Sequence, residues 1–123
     1  MDKELFEFDK RIQKLSACDL KILEHLLIFK VMNVRMLYNT LSNELNEKGF
    51  EIKEIYIKKR LEKLYRLGLL GKVKYVAKFG KMNKKVVFYY IIPDKQLIKQ
   101  IKMALRVMRF EWYTFSLLSH FSN

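Results

Sequence analysis

Six cations fall within fourteen residues at Lys53, Lys58, Lys59, Arg60, Lys63 and Arg66, and six more lysines follow at Lys72, Lys74, Lys78, Lys81, Lys84 and Lys85. Only Glu54 and Glu62 oppose them, so residues 53–85 carry a net charge of +10. Ammonium and guanidinium groups at this density bind polyanions by displacing their counterions. Tyr56 sits among them and adds a hydroxyl donor. Residues 1–50, by contrast, carry eight basic and eight acidic side chains and are neutral. The +12 of the whole chain is therefore segregated. Such a field favours nucleic acid first and an acidic membrane surface second. A merely solvating face is the plain alternative for any single lysine.

Groups able to do covalent chemistry are few. The two histidines, His25 and His120, stand far apart, and His25 lies among leucines, where a structural role is the simpler reading. Cys18 sits at a helix start, where a thiol pKa can fall. A redox sensor is conceivable there, and a small helix residue is the simpler account. No Gly-rich phosphate loop, paired-carboxylate motif or HExxH motif is present. The expectation is a protein that is not an enzyme and takes no cofactor or metal. A lone cysteine excludes an internal disulfide and a multi-thiolate metal centre. It also fits a reducing compartment, the cytoplasm or nucleoid of a cell. The start, MDKELFEFDK, is too charged for a secretory signal. No stretch of about 18 uncharged apolar residues exists to span a membrane.

The elements that must position the cations can be read from periodicity. With 50% hydrophobic residues, the 123-residue chain is expected to form one domain over 1–123 and is not disordered. Leu5, Phe8, Ile12 and Leu15 recur at helical spacing and predict a helix over 2–15. Ser16 and Asp19 resemble a capping box, with Asp in place of the usual Glu, before a helix marked by Leu20, Leu23, Leu26 and Leu27. Asn33 is a candidate N-cap for a helix with Leu37, Leu41 and Leu45 on its buried stripe. Gly49 stops that helix and Phe50 to Ile52 form an extended link. The cationic helix then runs from about Lys53 to Leu67, with Ile57, Leu61 and Leu64 on its apolar face. Gly68 ends it.

Beyond Gly68 the period becomes two. Val73, Tyr75, Ala77 and Phe79 alternate with a largely lysine set, which predicts a strand with the former facing the core. A five-residue basic turn leads to a second strand over Val86 to Ile92. Pro93 ends the ladder and Asp94 caps a final helix. That helix extends to about Ser119, with Leu97, Ile101, Leu105, Met108, Trp112, Phe115 and Leu118 on one stripe.

The segment Ile57-Lys-Lys-Arg-Leu61-Glu-Lys-Leu64-Tyr-Arg-Leu-Gly68-Leu69-Leu70 resembles the recognition-helix signature of the winged helix-turn-helix superfamily. Lys85-Val-Val-Phe-Tyr-Tyr-Ile-Ile-Pro93 resembles the returning strand of its wing. The likeness covers residues 16–93 and is similar in pattern to PadR-like and MarR-like transcriptional regulators. Its junction between the second and third helices is longer than in a tight helix-turn-helix. The Lys-, Ile- and Tyr-rich composition also resembles that of small regulators from archaea and their viruses or plasmids.

The resemblance implies an α+β, mostly helical winged helix that binds double-stranded DNA. By the matched positions, Lys53, Tyr56, Lys58, Lys59 and Lys63 are the major-groove candidates. Lys78, Lys81, Lys84 and Lys85 at the wing would meet backbone or minor groove. Arg60 and Arg66 would lean toward phosphates or neighbouring helices. The final helix, 94–121, would dimerise through Ile101, Leu105, Met108, Trp112, Phe115 and Leu118, with the N-terminal helix joining in. The alternatives are a winged-helix protein-interaction module, a membrane-surface binder and an RNA binder.

Overall fold

The computed structural model describes residues 8–47, 49 and 51–121, without the side chains of Phe79 and 109–121. Among these residues, five helices and three strands follow in the order α1 (Lys10–Gln13), α2 (Ala17–Phe29), β1 (Met32–Asn33), α3 (Val34–Glu47), α4 (Glu54–Arg66), β2 (Leu70–Phe79), β3 (Met82–Ile91) and α5 (Lys95–Phe121). The class is α+β, as the residue pattern implied.

Polar side chains start the helices where the sequence places them. Ser16 Oγ accepts from the Asp19 amide at 3.2 Å, and Asp19 Oδ2 accepts from the Ser16 amide at 3.0 Å. This is a complete capping box. Asn33 Oδ1 accepts from the Met36 amide at 2.8 Å at the start of α3. Asp94 Oδ1 accepts from the amides of Gln96 and Leu97 at the start of α5. Gly68, at φ 80°, reverses the chain after α4, and the Leu69 amide reaches back to the Leu64 carbonyl. Glycine is suited to that left-handed turn because it has no Cβ to clash.

The core gathers one stripe from each helix. Ile22, Leu23 and Leu26 of α2 meet Leu37 and Leu41 of α3 and Ile57, Leu61 and Leu64 of α4. Leu69, Leu70 and Tyr89 close it from the sheet, and Leu97, Ile101 and Leu105 from α5. The sheet is antiparallel in the order β1-β3-β2. Its two-residue edge strand β1 pairs Met32 with Tyr89 and Asn33 with Phe88. A strand this short has no periodicity to betray it, so the sequence reading lacks it.

Four expectations need correction. The N-terminal helix is a single turn, Lys10–Gln13, within the described residues. Asp9 starts it by accepting from the Arg11 amide, and Leu5 lies outside those residues, as does Phe50 of the link. The hairpin turn is two residues, Gly80 and Lys81, rather than five. Gly80 alone takes positive φ there (64°), the pattern of a type II′ turn. The facing of the wing is reversed: Leu70, Lys72 and Lys74 share the core side, while Val73, Tyr75 and Ala77 point away. Register explains this, because opposed residues share a face and Lys72 stands opposite the buried Tyr89. Finally, Ile101 and Leu105 are buried against the chain's own core, leaving them no surface for a partner. Met108 packs at the edge of that core, and the side chains of Trp112, Phe115 and Leu118 lie outside the described set.

A buried ion pair joins the first and last helices of the central trio. Asp19 is fully buried, and its carboxylate takes a two-pronged bond from Arg60 of α4, with Nε to Oδ1 at 2.6 Å and Nη2 to Oδ2. Replacing Asp19 by Asn keeps the cap oxygen but strands the guanidinium. Arg60 retains 20% exposure, so the loss belongs at the low end for a broken buried pair, about 3 kcal/mol. Urea unfolding followed by circular dichroism reads that loss; Lys58→Ala, on the surface, is expected to shift stability by less than about 0.5 kcal/mol.

Candidate nucleic-acid interface

Helix α4 buries Ile57, Leu61 and Leu64 completely, so the opposite face must be solvent-directed. Helical spacing puts Ile55, Lys59 and Arg66 along its outer ridge, with Tyr56 and Lys63 on one flank and Lys58 and the sheet-directed Glu62 on the other. Lys53 precedes the helix as its N-cap and makes no side-chain cap bond. Lys53, Tyr56, Lys58 and Lys59 are exposed, and Lys63 is 37% exposed with its ammonium 3.9 Å from Asp19 Oδ2. The five groove candidates therefore lie on one element, next to one another. Their backbone is held from behind by the Asp19–Arg60 pair.

Arg60 is withdrawn from this face. Asp19 holds its guanidinium firmly charged, chiefly through their hydrogen bonds. The Tyr56 ring stands 6.0 Å from the same guanidinium, within reach of a cation–π contact. Of the two expectations for Arg60, the neighbouring helix is therefore the one realised.

The hairpin is clamped to α4 by a second polar cluster. Tyr89 donates to Glu62 Oε2 at 2.7 Å, and Lys72 reaches Glu62 Oε1 at 3.2 Å. The Lys72 ammonium also stands 4.2 Å above the Tyr65 ring. The hydrogen bond from Tyr89, then Lys72, holds the Glu62 carboxyl below its ordinary value, although partial burial opposes them. Burial, followed by the bond to Glu62, raises the Tyr89 phenol well above its own. Glu62 thus neutralises Lys72 and leaves the distal lysines unopposed. Lys78, Lys81, Lys84 and Lys85 are all exposed at or near the hairpin tip, and residues 70–91 contain six lysines and no carboxylate.

Two residues escaped the sequence reading. Ile55 is 56% exposed on the outer ridge, an apolar group in a cationic field. Its place at the first turn, off the Ile57 stripe, was the available signal. Lys72 was grouped with the solvated lysines, and only the strand register shows that it belongs to the clamp.

Of the other candidates, the side chain of His120 lies outside the described set, and His25 and Cys18 sit within the helical packing. His25 is buried between the Lys21 carbonyl (Nδ1 at 2.8 Å) and Glu44 Oε1 (Nε2 at 3.1 Å), where it ties α2 to α3. Cys18 is partly buried, and burial followed by the neighbouring Asp19 pushes its thiol up. The expected lowering at a helix start is overridden by desolvation. Among the described residues no helix is long and apolar enough to cross a membrane.

A helical trio whose third member lies exposed beside a clamped β-hairpin is the arrangement of a winged helix. A solved structure named "Possible transcriptional regulator", from Methanosarcina mazei Go1, is similar over 100% of this chain and 97% of its own. The TM-score is 0.50 at 17% sequence identity, a likeness of fold. No family model and no curated protein matches the sequence.

Two outcomes test this electrostatic account. Because folding lowers the Glu62 pKa, its contribution is complete above the unfolded value and is lost as pH falls through the folded one. Urea midpoints measured from roughly pH 5 down to 3 are therefore expected to fall less for Glu62→Gln than for the native chain. The raised Cys18 thiol is expected to react with a disulfide reagent at pH 7 more slowly than free cysteine does, and faster reaction would contradict the desolvated setting.

Proposed function

We propose that this chain binds double-stranded DNA as a transcriptional regulator of the winged-helix kind, related in pattern to the PadR-like and MarR-like groups. The observation that carries the reading is the pairing of α4's cationic outer face with a lysine-tipped hairpin clamped beside it. Helix α4 enters the major groove. Lys53, Lys58, Lys59 and Lys63 donate to phosphates or guanine edges, Tyr56 donates its hydroxyl, and Ile55 offers an apolar contact to a thymine methyl. Lys78, Lys81, Lys84 and Lys85 meet the backbone or minor groove and set register. Lysine dominates and bidentate Asn, Gln or free Arg is absent early in α4, so phosphate contacts supply most of the affinity.

The active form on this reading is a homodimer. By its spacing in the sequence, the apolar stripe of α5 runs on from Met108, at the edge of the core, to Trp112, Phe115 and Leu118, on a helix ~40 Å long. Two-fold pairing there would place two copies of α4 on successive major grooves. The fold of the Methanosarcina mazei protein and its printed description support a regulatory role in general terms.

The test is fluorescence anisotropy of a labelled random 30-base-pair duplex over a salt series. With roughly six to ten phosphates met per dimer, affinity is expected to fall by about 10³–10⁵ between roughly 50 and 200 mM salt. Lys58→Glu with Lys59→Glu is expected to abolish binding while leaving the circular dichroism spectrum unchanged. Weak, salt-insensitive binding that survives this double substitution would instead point to a protein-interaction module.

A further inference from the structure

The wing has a second surface that the duplex-binding reading leaves idle. Opposed residues in the ladder share a face, so Gly71 and Tyr90, Val73 and Phe88, and Tyr75 and Val86 stand together. The other face is taken by α4, through Lys72 and Tyr89 on Glu62. Val87 and Ile91 of β3 pack on the core, as their alternation requires. Val86, Phe88 and Tyr90 point the opposite way. Tyr75 is 58% and Val73 39% exposed on this outer face.

Three aromatic rings therefore stand on one side of a twisted sheet, and their poses are set by the sheet itself. A Cβ at Gly71 would lie only 2.4 Å from Tyr90 Cζ, so the tyrosine ring lies across the bare glycine backbone, close to the sheet surface. Phe88 meets Tyr75 edge to face, with centroids 5.5 Å apart and planes at 86°. Residues two apart on a strand are separated by about 7 Å, so Phe88 and Tyr90 form successive steps.

Charge selects the occupant. The hairpin bears six lysines and no carboxylate. Lys84, opposite Ala77, lies on the outer face itself, while exposed Lys74 and Lys85 leave the strands on the other face. A second copy stacked on this face would bring its own Lys84 and no carboxylate to offset it. Flat aromatic faces beside Lys84, on a hairpin whose charged side chains are all cations, suit unpaired bases on a phosphate backbone. Beyond the tyrosine hydroxyls and Asn33, this face has no neutral hydrogen-bonding side chain with which to read a 2′-hydroxyl. We infer that the outer face of the β2–β3 hairpin is a stacking platform for single-stranded DNA, separate from the α4 face.

The experiment titrates the full chain against a labelled 15-nucleotide oligo-dT, the matching oligo-U and a 30-base-pair duplex. Tyr75→Ala is expected to weaken oligo-dT binding by about tenfold, the loss of one stacked base. Tyr75→Phe is expected to retain it, since the ring and not the hydroxyl does the stacking. Duplex affinity should be unchanged by either substitution. Lys58→Glu with Lys59→Glu should show the opposite pattern, losing duplex and retaining most oligo-dT binding, so failure of one surface is separable from failure of the other. Oligo-dT affinity unaltered in Tyr75→Ala overturns the inference. So does tighter binding of oligo-U, or a sedimentation shift from dimer to monomer on Tyr75→Ala, which would assign the face to a second copy.

Discussion

One carboxylate organises the cationic surface. Asp19 closes the capping box of α2 through Oδ2 and receives the guanidinium of Arg60 on both of its oxygens. It is fully buried, so neither partner can be lost cheaply. The consequence is geometric more than energetic. Packing of Ile57, Leu61 and Leu64 fixes which stripe of α4 faces inward, and a hydrophobic stripe tolerates some sliding. A two-pronged bond to the first turn of α2 does not. The bond therefore sets both the rotation and the height of α4, and with them the presentation of Tyr56, Lys58, Lys59 and Lys63.

The wing is aligned by a second polar contact on the same helix. Glu62 lies two residues beyond Arg60 and toward the sheet, where Tyr89 and Lys72 converge on it. Helix α4 is thus held by Arg60 toward α2 and by Glu62 toward the hairpin, with its remaining face exposed. Both contacts place a charge partly or wholly out of water and compensate it with at least two hydrogen bonds. No buried side-chain nitrogen or oxygen among the described residues lacks a partner. Lys53, Lys58, Lys59 and the lysines of the hairpin tip take no part in either clamp.

Much of this was legible in the residue order. Ser16, Asn33 and Asp94 start helices because a short polar side chain before an apolar periodic run has few other uses. Gly68 after Leu64 marks both the end of α4 and the change of period. The cationic face of α4 is legible because its charge is concentrated off the Ile57 stripe. What escaped depended on contacts between distant residues. Arg60 looks like its basic neighbours until Asp19, forty-one positions earlier, is known to lie behind it. The wing misled for a different reason. Alternation of Val73 and Tyr75 with Lys72 and Lys74 suggests an apolar face turned inward. Here the inward face is chosen at the base of the strand by Leu70, and Lys72 follows it by parity. Ile101 and Leu105 share a sequence stripe with Trp112 and Phe115, and periodicity alone cannot say which positions of a stripe the chain's own core takes.

The central claim is that the exposed face of α4 and the hairpin tip form one duplex-binding surface. Chemical-shift mapping of isotopically labelled protein, titrated with a 20-base-pair duplex, tests it most directly. The account predicts the largest amide shifts at 53–63 and 78–85, with Lys95–Arg106 of α5 nearly unmoved. Shifts centred on the Lys95, Lys99, Lys102 and Arg106 face of α5, with α4 silent, would contradict it.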